Sequence, residues 1–90
     1  MPILHIPKQL RAYCGGQDSI ELEGEFISEL LAGLAAQFPE LGSRVLDASG
    51  ALVPHLVVIQ NDVVLRTSEV AEARVSADEE LRIFTAASGG

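Results

Sequence analysis

Leu81-Arg-Ile-Phe-Thr-Ala-Ala-Ser-Gly-Gly90 is the stretch from which the fold is best inferred. Its first part alternates as a half-buried strand, Leu81 to Thr85, with Leu81 and Ile83 inward and Arg82 and Phe84 outward. We predict a folded domain over 1–84 and a flexible tail over 85–90. The terminal glycines lack Cβ, so the tail could pass through a narrow channel. Extended, it would reach roughly 15–20 Å at about 3.3 Å per residue. The alternative is an ordinary frayed terminus.

The first half of the chain predicts two strands and one long helix. The segment Pro2 to Pro7 reads as a strand with Leu4 and Ile6 on one face. A turn at 14–17 leads to a second strand, Ser19 to Gly24, and the two strands form a hairpin. A helix follows, with Gly24 or Glu25 as its cap. Its apolar stripe is Ile27, Leu30, Leu31, Leu34, Ala35 and Phe38, and Pro39 closes it.

The second half predicts three more strands. We expect 41–54 to be an irregular connection, anchored by Leu41, Val45 and Leu46. Leu56 to Gln60 is the strongest β signal, and Asn61-Asp62 is a turn into a short strand, Val63 to Arg66. The stretch 67–80, which precedes the last strand, is polar and acidic, and we expect Val70 and Val75 to make its packing contacts. The pattern alone predicts an α+β domain.

The composition excludes several classes of function for this chain. Ninety residues make one small domain, and a net charge of −7 argues against binding to nucleic acid or to an anionic membrane. The acidity suits either a partner with a basic groove or an ordinary soluble protein. We find no membrane span or signal peptide, and a single cysteine excludes an internal disulfide framework. We therefore expect a cytoplasmic protein.

Several short motifs, in this order and spacing, resemble the ubiquitin-like sulfur carriers of the ThiS/MoaD superfamily over nearly the whole chain. They are Ile6-Pro-Lys-Gln-Leu-Arg11, Gly15-Gly-Gln17, Ile59-Gln-Asn-Asp62, Val64-Leu-Arg66, Asp78-Glu-Glu-Leu-Arg-Ile83 and Gly89-Gly90. The opening motif looks most like the variety that serves cysteine biosynthesis. Two departures are Phe26, where a threonine usually starts the helix, and the 85–88 approach to the diglycine. The resemblance implies a β-grasp fold, with one main helix packed across a mixed sheet of four or five strands.

The resemblance also implies a protein cosubstrate rather than an enzyme. A separate E1-like enzyme would use ATP to adenylate the Gly90 carboxylate, and sulfide from a donor would then displace AMP to leave a thiocarboxylate. A pyridoxal-phosphate-dependent cysteine synthase, or another enzyme, would accept the sulfur. A metalloprotease would then release the new cysteine. The chain itself would bind no cofactor or metal, and Gly89 and Ser88 would thread into the partner.

We expect partner docking on the outward face of the last strand and its neighbours. Phe84 is the best anchor, with Arg82, Leu65 and Arg66 near it, since exposed aromatic and Arg side chains are favoured at hot spots. If the alternation is off by one residue, Phe84 is instead a core residue.

Other functions stay open at this point. The chain could be a ubiquitin-like modifier that forms isopeptides, a thiamine sulfur carrier, the small subunit of molybdopterin synthase, or a plain binding module. Cys14 is better explained as a structural or incidental thiol than as a nucleophile, because no group that would lower its pKa is evident. His5 and His55 have no metal-ligand spacing.

Overall fold

The computed structural model describes residues 1–85, which fold as one mixed sheet with helices. The five strands are β1 (Ile3–His5), β2 (Ser19–Glu21), β3 (Leu56–Gln60), β4 (Val63–Leu65) and β5 (Glu80–Thr85). A 3-10 helix spans Lys8–Cys14, and the α-helices are α1 (Ile27–Gln37), α2 (Pro39–Val45) and α3 (Thr67–Val70). No helix in this part of the chain is long and apolar enough to cross a bilayer.

The sheet has the strand order β2-β1-β5-β3-β4. The last strand lies in the middle, parallel to β1 and antiparallel to β3, and the other pairs are antiparallel. The buried residues of α1 join the inward residues of the strands in a single core cluster. This is the β-grasp architecture, and the prediction of a mixed sheet with one main helix across it is confirmed.

The first two strands follow the predicted alternation of inward and outward side chains. Leu4 in β1 and Ile20 in β2 are buried, as are Ile6 and Leu22 just after these strands, while Glu21 and Glu23 are exposed. Antiparallel pairing of Leu4 with Ile20 confirms the hairpin. The 3-10 helix connects the two strands of this hairpin.

Helix α1 begins at Ile27, with Phe26 rather than Gly24 or Glu25 as its N-cap. A phenylalanine side chain accepts no hydrogen bond, so the free backbone donors find another partner. The Glu29 carboxylate accepts from the backbone N–H of Glu25 at 2.7 Å and of Phe26 at 3.1 Å. The Ile27 N–H donates to the carbonyl of Ala73 at 2.9 Å. The backbone N–H groups at the start of α1 therefore have hydrogen-bond partners in Glu29 of the same helix and in Ala73, which lies in the segment before β5.

The prediction of an irregular connection after Pro39 is wrong over its first part, because Pro39–Val45 forms α2. Proline ends one helix but fits the first position of the next, where its missing N–H has no intrahelical partner to lose. The anchors predicted in this region are correct: Leu41 and Val45 are fully buried, and Leu46 packs against the core.

Gly33 lies within α1, and we expect Gly33→Ala to stabilise the fold by about 0.5–1 kcal/mol because alanine is the better helix former. A Cβ built there would lie 3.7 Å from Leu22 Cδ2, which is ordinary contact. Urea denaturation would measure the gain. A loss of stability would show that Leu22 cannot accept the added methyl group.

The turn between β3 and β4 is fixed from both sides. Asn61 and Asp62 take φ values of 51° and 66°, the left-handed region that suits a tight hairpin. The Glu79 carboxylate accepts from the Asn61 side chain at 3.0 Å and from the Ser76 N–H at 2.6 Å. Glu79 thus ties the β3–β4 turn to the start of β5. The polar stretch before it holds α3, which the sequence did not predict, and Val70 and Val75 are buried as expected.

Asp47 organises the loop after α2. Its Oδ1 accepts from the Ser49 hydroxyl at 2.6 Å and from the N–H groups of Ser49 and Ala51 at 2.9 and 3.1 Å. These bonds, the Ser49 hydroxyl first, lower the pKa of Asp47 below its ordinary value of 3.8. A group with a lowered folded pKa contributes stability above the unfolded pKa, and that contribution is lost as pH falls through the folded pKa.

We therefore expect Asp47→Asn to be less stable than wild type by a constant amount above pH 3.8, and the difference to shrink at lower pH. Urea unfolding across a pH series measures this, with Asp78→Asn as the control of equal charge change. A difference that persists unchanged in acid would assign the effect to loop geometry rather than to ionisation.

Candidate partner-binding surface

The described part of the chain ends on the central strand of the sheet. Thr85, the last described residue, pairs with Leu56 at the end of β5, so the strand extends one residue beyond the domain boundary drawn at 84. The Gln9 side chain donates to the Thr85 hydroxyl at 3.3 Å, which joins the 3-10 helix to this end of β5. The division into domain and tail stays a prediction.

Phe84 lies on the outer face of the sheet, away from α1. Leu81 and Ile83 are buried, whereas Arg82 is exposed and Phe84 is 47% exposed. The alternative that Phe84 is a core residue is therefore wrong. A large aromatic ring held half in solvent on a central strand is available to a partner.

Register brings further apolar side chains beside Phe84. Cross-strand partners in an antiparallel pair share one face of the sheet. Val57 is opposite Phe84, Ile59 is opposite Arg82, and Val64 is opposite Ile59. Val64 is 50% exposed. We call this group the outer patch; its members are Val57, Ile59, Val64, Arg82 and Phe84.

Of the four predicted docking residues, Leu65 is misplaced. It pairs with Val58 on the inward face and belongs to the core, with 9% of its surface exposed. Its neighbour Val64 takes the outward position. A one-residue change of register exchanges the faces of a strand, and three apolar residues in a row, Val63–Leu65, do not reveal which face is inward. Arg66 is exposed and directly precedes α3, and its docking role stays a prediction.

His5 and Glu80 form a hydrogen bond between their side chains on the outer face. His5, which pairs with Arg82 across β1 and β5, lies with its Nε2 2.7 Å from Glu80 Oε1. Both side chains are substantially exposed, so the pair adds little to stability and chiefly sets the polar rim of the outer patch.

The remaining reactive side chains form no site. Cys14 is fully buried, and its thiol lies 3.4 Å from the Gln17 carbonyl and 3.5 Å from the Arg11 carbonyl, so it is a structural thiol. Within residues 1–85, no three His, Cys, Asp or Glu side chains are grouped as a metal site would require. The predicted sulfur-carrying residue Gly90 and the threading residues Gly89 and Ser88 lie outside the described residues.

Comparison with known proteins agrees with this architecture. No protein-family model matches the chain. The sulfur carrier protein CysO of Mycobacterium tuberculosis is 28% identical over 87 residues, covering 94% of each chain. CysO in the crystal structure of an Amycolatopsis orientalis BexX/CysO complex has a TM-score of 0.85 at 28% identity, with each chain fully covered. The small archaeal modifier protein 1 of Methanosarcina acetivorans, 21% identical over 99% of this chain and 95% of its own, shares the fold with a TM-score of 0.82.

The sheet order, the central last strand and these likenesses define a ubiquitin-like β-grasp protein. More specifically, the chain is similar to sulfur carrier proteins such as CysO, as its short motifs indicated. Several of those motifs now have a structural explanation. Gln60 and Asn61 meet Glu79, and Ile6 with its neighbours borders the end of β5.

Proposed function

We propose that the chain is a sulfur carrier whose Gly90 carboxylate becomes a thiocarboxylate and donates its sulfur in cysteine biosynthesis. The observation that carries this proposal is the likeness to CysO over almost the whole of both chains. The position of β5 supports it, since Thr85, the last described residue of this central strand, is five residues before Gly90.

The proposed reaction has two steps on a separate E1-like enzyme. The Gly90 carboxylate attacks ATP, forms an acyl-adenylate and releases pyrophosphate. Sulfide from a donor then attacks the acyl carbon and displaces AMP, which leaves the thiocarboxylate. This chain supplies the substrate carboxylate and the docking surface, and the enzyme supplies the catalytic groups. Because the first step consumes ATP, the proposal includes a cytoplasmic location.

The proposed acceptor is a pyridoxal-phosphate-dependent cysteine synthase, after which a metalloprotease frees the cysteine from the carrier. A sulfur held on a protein is delivered without release of free sulfide. CysO, the similar protein in the complex with BexX, provides a precedent for binding of such a chain to a second protein. We assign the corresponding contact here to the outer patch.

The experiment that tests the function is an intact-mass measurement on the protein isolated from its native host at neutral pH without reductant. We expect a fraction in which one sulfur has replaced one oxygen, and fragmentation should map the exchange to the peptide that contains Gly90. Isopeptides that link Gly90 to lysines of other proteins would instead establish a modifier. A mass that stays unmodified after incubation with ATP, sulfide and host extract would refute the carrier.

We expect Phe84→Ala to weaken binding of the activating enzyme by about 10–100-fold while the fold persists, since a half-exposed aromatic ring is a strong interface anchor. Val63→Ala is the matched control, because Val63 is 54% exposed but alternates with Val64 and so points away from the outer patch. Calorimetric titration measures both variants. Equal losses for the two variants would show that the outer patch is not the docking surface.

A further inference from the structure

A cationic groove borders the outer patch at the end of β5. It encloses about 580 Å³ between the 3-10 helix and the last strand. Its charged walls are Lys8, Arg11 and Arg82, with Asp18 as the one carboxylate, and Phe84 and Thr85 close its end. The groove therefore lies at the end of the described part of β5.

The charge of this groove is opposite to that of the molecule. The groove holds three of the six Lys and Arg residues of the chain but only one of its thirteen Asp and Glu residues. Its formal charge is +2, with His5 neutral, whereas the whole chain carries −7. Lys8 and Arg82 come from different elements, so no local charge run in the sequence explains the concentration.

The cations are not already neutralised. In residues 1–85, the one contact within 4.0 Å between a basic and an acidic side chain is that of His5 with Glu80, so Lys8, Arg11 and Arg82 have no carboxylate partner there. Arg11 donates its Nε–H to the Ile6 carbonyl at 2.9 Å, which holds the side chain in place and leaves its other guanidinium donors free. The groove thus gathers unpaired cationic donors, of which Arg11 is held in place, beside an exposed aromatic ring.

From this arrangement we infer that the groove binds an acidic peptide segment of a partner protein, with its carboxylates on Lys8, Arg11 and Arg82 and an apolar side chain against Phe84. Complementary charge would bring the partner to the end of β5 and set its register there. The inference rests on the proposed function only in assigning the segment to the protein that receives Gly90.

The groove itself is tested by titration of the ¹⁵N-labelled full chain with the peptide acetyl-Glu-Glu-Leu-Glu-Glu-amide. We expect amide shifts confined to residues 5–11 and 82–85, and we expect them to vanish as salt rises from about 0.01 M to about 1 M, where the Debye length falls from about 30 Å to about 3 Å. Stronger or equal binding of the peptide with lysine in place of glutamate, or the absence of shifts in these residues, would overturn the inference.

Charge reversal supplies the matched comparison. Lys8→Glu/Arg82→Glu should weaken binding of the acidic peptide about tenfold. Arg44→Glu/Arg74→Glu also takes the net charge from −7 to −11, but it should weaken binding of the peptide less. Circular dichroism confirms that each variant is folded. Equal losses of affinity in the two variants would show that the effect comes from net charge alone and would refute a specific groove.

Thiocarboxylate formation in the native host separates this inference from the proposed function. If wild type carries the thiocarboxylate and Lys8→Glu/Arg82→Glu does not, the acidic segment belongs to the activating partner. If wild type and the double variant carry the thiocarboxylate equally, the assignment of the acidic segment to the activating partner is wrong. If wild type carries none, the proposed function fails, and the peptide titration still decides whether the groove binds acidic peptides.

Discussion

Deletion of Gly90 should lower the yield of C-terminal thiocarboxylate by about 100-fold or more. The deletion moves the terminal carboxylate back by about 3.3 Å along an extended chain. Adenylation needs the reacting atoms within about 3–3.5 Å, and a misplacement of about 1 Å already costs about 100-fold. Mass spectrometry after incubation with ATP, sulfide and host extract measures the loss.

The same deletion should leave the thermal midpoint within about 2 °C of wild type, as for ordinary surface changes. Within residues 1–85 the buried core extends from Leu4 to Ile83, and the deletion removes none of these residues. Gly33→Ala, a glycine change within α1, is the control and should keep full thiocarboxylate yield. Unimpaired yield from the deleted chain would eliminate Gly90 as the sulfur-carrying residue.

Gly42→Ala should destabilise the fold by about 2–3 kcal/mol, which lowers the thermal midpoint by about 10–20 °C in a domain of this size. Gly42 is buried in α2 where it crosses α1. A Cβ built on it would lie 2.5 Å from the Cβ and 2.7 Å from the Cα of Ala35. Because the second of these atoms is backbone, the helices must separate, and the loss exceeds the roughly 1 kcal/mol that alanine adds in a helix.

A second variant tests that explanation. Ala35→Gly/Gly42→Ala removes the 2.5 Å contact but keeps the 2.7 Å contact with the backbone, so it should recover part of the loss. The interaction free energy from the double-mutant cycle should be at least about 1 kcal/mol in favour of the pair. A Gly42→Ala protein as stable as wild type would show that α1 and α2 can separate without cost.

Most of the fold could be predicted because the strands and α1 each bury one face. Alternation in 81–85 and the stripe from Ile27 to Leu34 record which side chains are inward. The unpredicted helices, α2 and α3, are seven and four residues long. Segments this short hold few turns of periodicity, and packing rather than intrinsic propensity stabilises them.

Part of the binding surface was also determined by sequence. Phe84 and Arg82 alternate with two buried residues, so their outward direction follows once β5 is recognised. Leu65 could not be placed in this way, because Val63 and Val64 are equally apolar and only pairing with β3 shows which of the three is inward. The diglycine and the other motifs indicated the likeness to sulfur carriers, because they are local features of the chain.

The cationic groove was decided by tertiary structure alone. Lys8 and Arg82 are 74 positions apart, and they line one groove because β5 returns to lie parallel to β1 at the centre of the sheet. Local side-chain patterns determine which face of a strand is buried, but distant residues meet only through strand order and register. The sequence therefore determined the strands and α1 and indicated a likeness to sulfur carriers, and the fold decided which charges lie beside the end of β5.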